Sequence, residues 1–408
     1  MRNGSTSALG REKIRLLNQS AIINAIHRSR KVSRTDLAAQ LRLSPAAVTN
    51  LTASLIDAGL VVEVEVGESQ SVGRKPILLG INYDHSYVVG AKVMPDAIVA
   101  SLTNLNADVL GTVRVPLADS AVGTVAAAVV ASKAELCGKL GVSAHRVAGL
   151  GVSLPGVVDY LTGIVRHSDL LGWHDVRLAE ELHAVAGLSA VVENDVNALA
   201  AAQSWFGLGR AHDSFLTVTM GRGVGLGIVI GGAIYRGPRG GAGEVGHTRC
   251  TPIAPRVMRP GTTTLEERLG DAGLLAEASR VIPGFPEGAR PEALTALAER
   301  GDPAAIDLLA DAGECLGVAL SDLVNLFAPT LVILGGEGLR NSKHFLPHVR
   351  PALEQHAFGG LAEGLELIVD SWGDDAWARG AAGLAAARFL EAATEPLPAL
   401  QTGPGLAR

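Results

Sequence analysis

Cysteine is scarce in this 408-residue chain: Cys137, Cys250 and Cys315 lie far apart, with no CxxC pair. That excludes a disulfide framework and suits a reducing, cytoplasmic setting. Aromatic residues are also few, at 4%, against 48% hydrophobic residues overall. Such an aliphatic, Gly- and Ala-rich composition belongs to a globular chain rather than a disordered one. No apolar run reaches the roughly 18 residues that span a bilayer. The opening Met1-Arg2-Asn3-Gly4-Ser5 leads into a polar segment without a signal-peptide core, so no membrane association is expected. The length exceeds what one hydrophobic core usually serves, and two or three domains are expected.

Charge is unevenly placed. Residues 1–80 carry eleven Lys and Arg against six Asp and Glu, a balance of +5, while the chain as a whole stands at −6. A basic head on an acidic body is the electrostatic footprint of a polyanion bound at one end.

Within the head, Ile14, Leu17, Ala21, Ile22, Ala25 and Ile26 recur at helical spacing and predict an amphipathic helix over 12–28. Ser33 is placed to cap a short helix over 35–41, with Asp36 at its third position. Ser44-Pro45 starts a third helix with a capping hydroxyl and a first-turn proline. Val48, Leu51 and Leu55 turn one face inward, leaving Ala46, Ala47, Thr49, Asn50 and Ala53 outside. Small and hydrogen-bonding residues suit a recognition helix, because bulk would keep its backbone out of a groove about 12 Å wide. Asn50 is suited to adenine, and the Ala and Thr methyls to thymine methyls. Val62, Val64 and Val66 alternate with Glu63 and Glu65 as a strand, and a turn over 67–73 leads to Arg74-Lys75-Pro76 and the strand Ile77–Leu79. This hairpin is expected to be a wing with Arg74 entering a minor groove or holding a phosphate. The expected DNA contacts are Ser33, Arg34, Thr35, Ser44, Ala46, Ala47, Thr49, Asn50, Arg74 and Lys75, on operator double-stranded DNA. A small helical protein-interaction module with an attached hairpin fits the same pattern.

From Tyr83 the pattern becomes strands at 87–93, 98–103 and 109–115, a helix near 121–140 and a strand at 147–153. A helix around 176–186 and a strand at 190–193 follow. It then restarts with strands at 215–220 and 224–230, long helical segments and a strand at 331–334. A strand–helix scheme written twice implies two α/β lobes around a cleft.

The stretch 218-VTMGRGVGLGIVIGGAIYRGPRGGAGEVGH-247 resembles the ROK family of repressors and sugar kinases, and in particular its regulators with an N-terminal winged helix. The segments 149-GLGVSLPGVVD-159, 168-SDLLGWHDVRLAEEL-182, 193-ENDVNALA-200 and 331-LVILGGEG-338 support it in the family's order. The resemblance implies an α/β fold: a winged helix-turn-helix over 1–82, then a two-lobed actin-like, ribonuclease-H-like (sugar-kinase-like) body. Its small lobe would span 83–193, completed by a C-terminal helix at 376–392, and its large lobe 194–375. By resemblance, Asn194 and Asp195 match the family's asparagine and catalytic aspartate, Glu244 and His247 its ExGH pair, and Glu266 a further sugar-binding glutamate. Gly156 would approach the sugar through backbone. Carboxylates and imidazole suit a polyhydroxylated ring. Asn194 and Asp195 are equally placed to cap the helix beginning near Val196.

Two departures set this chain apart. Kinases of this fold carry an Asp-x-Gly-Gly-Thr turn for ATP phosphates and metal; here the stretch reads Lys92-Val93-Met94-Pro95-Asp96, without the glycines and with a proline that removes a donor. In the second phosphate loop, Gly221-Arg222-Gly223, Arg222 replaces a threonine. Gly335-Gly336-Glu337-Gly338 matches the nucleoside-binding turn. Phosphoryl transfer is therefore not expected, and no catalytic residue is assigned. The family's zinc loop is the other departure: Val257, Arg259 and Thr264 stand where three cysteines belong, and Cys250 is out of register. No zinc and no other cofactor is expected. Thr263/Glu266 and Thr264/Glu267 both have capping-box spacing, and Pro252–Pro260 is expected to loosen without ligand. The resulting expectation is a cytoplasmic, sugar-responsive transcriptional regulator, a repressor of carbohydrate-utilisation genes acting as a homodimer or homotetramer. Its effector is a free or phosphorylated sugar or sugar derivative. A DNA-tethered sugar kinase and a regulator controlled by a protein partner are the competing readings.

Overall fold

The computed structural model describes residues 4–64, 76–370 and 375–392. Three helices open the chain: α1 (Gly4–Ser29), α2 (Arg34–Leu41) and α3 (Pro45–Asp57). The two-residue strand β1 (Val32–Ser33) sits between the first two, and β2 (Val61–Val64) and β3 (Leu78–Ile81) follow. These strands form one antiparallel sheet ordered β1-β3-β2. Both short helices begin where hydroxyls cap them. The Ser33 hydroxyl accepts the Asp36 N–H at 3.1 Å, and the Ser44 hydroxyl accepts the Ala47 N–H at 3.2 Å, with Pro45 in the first turn. Helix α1 starts earlier than the spacing predicts. Its residues Ile22, Ile23 and Ile26 are fully buried, whereas Ile14 and Leu17, expected on the same inward face, are 59% and 61% exposed. Helical period specifies a face, and the core of the head covers only the C-terminal part of it. The expected turn at 67–73, with Arg74 and Lys75, lies outside the described residues.

The body repeats one sheet plan twice. In the first half, β4 (Tyr87–Val93), β5 (Ala97–Asn104) and β6 (Val109–Pro116) form a meander. Helix α4 (Val122–Leu140) and β7 (Val147–Leu154) come next. The small strands β8 (Val157–Asp159), β9 (Ile164–Ser168) and β10 (Trp173–Val176) precede α5 (Leu178–Ala186) and β11 (Ala190–Asn194). The main sheet is ordered β11-β7-β4-β5-β6, parallel on the β11 side and antiparallel on the β6 side.

The second half opens with α6 (Asp195–Phe206), β12 (Phe215–Met220), β13 (Val224–Ile230) and β14 (Ala233–Ile234). An excursion then carries β15 (Arg249–Cys250) and β16 (Thr263–Thr264), followed by α7 (Leu265–Leu269), α8 (Asp271–Val281), α9 (Pro291–Glu299) and α10 (Pro303–Phe327). After β17 (Leu331–Gly335), α11 (Ser342–His356) and β18 (Glu366–Val369) complete the sheet β14-β13-β12-β17-β18. The strand order and directions match those of the first sheet, which is the ribonuclease-H-like plan.

The last helix, α12 (Asp375–Ala392), returns to the first sheet and lies on β4, β7 and α6. Its residues Ala382, Ala385, Ala386 and Leu390 enter the core of the head, beside Val88 and Leu105 of the body. Head and body thus share apolar packing. Strand ends decide where a site can form. The loops after β4, β7 and β11 of one sheet and after β12 and β17 of the other leave from carboxyl ends, the positions where open α/β sheets bind ligands. All five open onto one cavity of about 220 Å³.

Candidate functional site

The cleft begins at the β11–α6 junction. Asn194 has extended backbone and caps α6: its side-chain Oδ1 accepts the Asn197 N–H at 3.1 Å, while its Nδ2 donates to the Gly156 carbonyl at 3.0 Å. Capping and site-building are therefore both true of Asn194, and one side chain fastens the Gly156 loop to the start of α6. Gly156 has φ +130°, and a Cβ there would collide with the His167 carbonyl, so only glycine fits this turn. Asp195 is the first residue of α6, one residue earlier than expected, and its carboxylate accepts the Val196 N–H at 2.9 Å. Burial raises its pKa, an effect opposed by the charge of Lys92 and reinforced by Glu337.

Glu244 and His247 bracket a single 3-10 turn, with His247 Nε2 3.9 Å from Glu244 Oε2. Burial raises the pKa of Glu244; His247 opposes this, and Asp195 and Glu266 add to it. Glu266 opens α7 and accepts the Val224 N–H at 3.1 Å. The capping box that starts α7 uses Thr264 and Glu267, with Glu267 Oε2 accepting the Thr264 N–H at 2.8 Å, so Glu266 is left to face the cleft. Gly156, Asn194, Asp195, Glu244, His247 and Glu266 all line the same cavity. It is a ring dominated by hydrogen-bond acceptors, suited to hydroxyl donors.

Several residues at the site escape a motif reading. Glu193 is 1% exposed and binds the Asn194 N–H at 2.9 Å, the Asn197 side chain at 3.2 Å and Arg236 at 2.6 Å. Arg236 also lies over the Tyr160 ring, 3.9 Å from its centre. This buried pair sets the direction in which α6 leaves β11; its place in the 193-ENDVNALA-200 segment is the signal that would have found it. Lys92 is 5% exposed, 3.5 Å from Glu337 and 4.0 Å from the centre of the Trp377 ring. Its ammonium therefore lies between the two sheets, within the field of Asp195.

The excursion after His247 is built without cysteine ligation. Asp311 of α10, 1% exposed, accepts the N–H groups of Arg256, Val257 and Met258 at 2.8–2.9 Å and the Arg256 guanidinium at 3.1 Å. Glu277 of α8, 2% exposed, accepts the Arg259 N–H at 3.2 Å and its Nε at 2.5 Å. Arg280 donates to the Val257 carbonyl and to Glu277. At the three positions matching zinc ligands, Val257 and Arg259 present backbone to carboxylates and Thr264 caps α7, a donor set that does not fit zinc. Among the described residues no group of three or more His, Cys, Asp or Glu is arranged to hold a metal. Two buried carboxylates anchor 256–259, the C-terminal part of Pro252–Pro260; Ile253, farther from those anchors, is 62% exposed.

On the head, Thr35, Ser44, Ala46, Thr49 and Asn50 are exposed and Ala47 is half-buried. Thr49 donates to the Pro45 carbonyl at 2.9 Å, keeping its methyl free to point outward. Ser33 and Arg34 are engaged inside the head. The Ser33 hydroxyl is buried against Asp36, and Arg34 donates to Glu63 at 2.6 Å and to Thr52 at 3.2 Å. These two hold α2 in place, so the exposed set is the α3 face with Thr35. Among the described residues no helix is long and apolar enough to cross a membrane.

The ROK family model matches residues 89–388. The chain is 26% identical over 377 residues to the xylose repressor of Caldicellulosiruptor bescii, covering 89% of this chain and 94% of that protein. It is 25% identical over 375 residues to the DNA-binding transcriptional dual regulator NagC of Escherichia coli K12, covering 90% and 92%. A crystal structure of a ROK family transcriptional regulator, homologous to the E. coli MLC protein, matches with a TM-score of 0.79 at 26% identity, over 93% of this chain and 97% of that one. A ROK family glucokinase from Streptomyces griseus, solved with glucose and AMPPNP, matches with a TM-score of 0.60 at 27% identity. It covers 74% of this chain and 99% of its own. A family match over both sheets, with the cleft at their carboxyl ends, places the chain in the ROK family.

Proposed function

We propose that this protein is a sugar-responsive, DNA-binding transcriptional regulator, a repressor of carbohydrate-utilisation genes, in which the body senses the effector and the winged head holds the operator. One observation carries the reading. Asp195, Glu244, His247 and Glu266 line one cavity in a chain whose head exposes the small polar face of α3. The repressor names of its relatives support the same assignment. The proposed sugar contacts are Asn194 and the Gly156 backbone together with those four side chains. The proposed DNA contacts are Thr35, Ser44, Ala46, Ala47, Thr49 and Asn50, joined by Arg74 and Lys75.

The reading assigns no phosphoryl transfer. Lys92, near the end of β4, opens the stretch that matches the kinases' metal and phosphate turn, and Pro95 removes a donor there; positioned phosphates are what such catalysis requires. Reading paired half-sites calls for two heads related by symmetry, so the working form is a homodimer or homotetramer in the cytoplasm.

The test begins with sites selected by the full-length protein from random duplexes. Footprinting is expected to show two half-sites about one helical turn apart. An effector from a sugar screen should change operator affinity, and Glu244→Ala with His247→Ala should abolish the change while leaving DNA binding intact. An operator affinity that no sugar alters would sink the proposal.

A further inference from the structure

The charged side chains of the cleft are unequally matched. Five carboxylates line it, of Asp169, Asp195, Glu244, Glu266 and Glu337, against Lys92, Arg222 and the imidazoles of His167 and His247. Lys92 is committed to the protein itself: its side chain is 6% exposed, its ammonium lies 3.5 Å from Glu337, and the Trp377 ring covers it. Arg222 stands at the rim, half exposed, 3.6 Å from Asp96, which also holds Arg114 at 3.5 Å.

The glycine loop 221–223 is similarly occupied. Its Gly221 N–H donates to the Gly223 carbonyl at 3.0 Å, and the Val224 N–H just after the loop donates to Glu266 at 3.1 Å. Carboxylate oxygens press against the loop so closely that a methyl at Gly221 would strike Glu337 and one at Gly223 would strike Glu266. Of the backbone donors that could form an anion nest here, those of Gly221 and Val224 are satisfied internally, and the loop is faced by negative oxygens.

We infer that this cleft takes an unphosphorylated sugar, and that the Lys92–Glu337 pair with Glu266 sets negative oxygens and a paired cation where a phosphate ester would need free space and positive charge. The inference rests on the sugar-sensing reading above and narrows its ligand class. A phosphomonoester carries about −1.5 to −2 charge at neutral pH. It would bring that charge among five carboxylates, with Lys92 paired to Glu337 and Arg222 at the rim beside Asp96. A neutral sugar meets the same carboxylates as hydroxyl donors to acceptors. Like charge across a binding surface is strongly unfavourable.

The experiment is isothermal calorimetry on the full-length protein with matched pairs: pentoses, hexoses and N-acetylhexosamines, each with its own phosphate ester. For the sugar that binds, its ester is expected to bind at least about tenfold more weakly. Glu337→Gln, which frees the Lys92 ammonium of its carboxylate, should narrow that gap by about tenfold. An ester that binds as tightly as its parent sugar, or more tightly, overturns the inference and leaves sugar sensing standing. An unchanged gap in Glu337→Gln overturns the role of the pair. A panel in which no member binds overturns the sugar-sensing reading itself, and this inference with it.

Discussion

His27 sits at the joint between head and body. Its Nδ1 is 3.0 Å from the Tyr83 hydroxyl and its ring centre 4.7 Å from that of Trp205 on α6. Burial, with the charges of Arg30, Arg210 and Arg28, lowers its pKa from 6.5 to about 4. Below pH 6.5 the unfolded chain therefore binds a proton that the folded protein refuses, so stability falls as pH drops and levels off below about 4. By pH 5 this amounts to about 2 kcal/mol. Urea titrations of wild type and His27→Gln, followed by tryptophan fluorescence from pH 7.5 to 5, should show the variant losing that share of the acid sensitivity. Parallel curves would count against it. Arg28 and Arg30 are neighbours in sequence, but the burial that leads the shift has no local signature. Tyr83 and Trp205 are 56 and 178 positions away, and a histidine at the end of a helix reads most simply as a favourable partner for the helix dipole.

Elements were legible where their cause is local. Ser33, Ser44 with Pro45, and Thr264 with Glu267 start helices through bonds spanning three residues, which is why α2, α3 and α7 can be read from the sequence. The excursion between β15 and β16 shows the opposite case. Its anchor, Asp311, stands 53 to 55 residues beyond the amides it binds, and as one of four acids along α10 it carries no signature. The sequence shows the missing cysteines but not their replacement. Because the clamp is a carboxylate on three amides and a guanidinium, Asp311→Asn should loosen 252–260 selectively. A loss of about 2 kcal/mol of local stability corresponds to about 30-fold faster amide exchange there, with α12 unaffected. Chelators should leave wild-type exchange unchanged. Exchange equally slow in the variant would refute the clamp.

At the scale of the whole molecule, two helices run from the cleft to the head. Helix α6 begins at the cleft proposed to bind the sugar, with Asp195, and about 15 Å along it Trp205 meets His27 of α1. Helix α12 begins at the cleft, where Trp377 lies under Lys92, and buries Ala386 and Leu390 in the core of the head. The two pack on each other through Ala198, Ala201 and Leu384. A ligand that moves the β11–α6 junction therefore moves a rigid pair whose far end is part of the DNA-binding head. Coupling of this kind is a free energy shared by both sites, commonly 1–3 kcal/mol, and is reciprocal. In wild type, saturating sugar should change operator affinity by some factor, and operator DNA should change sugar affinity by the same factor. Trp205→Ala removes the contact with His27 near the far end of α6, about 15 Å from Asp195 at the cleft. It should leave sugar affinity in the absence of DNA close to wild type while reducing the coupling factor at least about fivefold. The measurement is a four-state cycle: sugar affinity with and without operator, in wild type and variant. If Trp205→Ala retains the full factor, the signal does not travel along α6, and the α12 contacts of the head become the path to cut next.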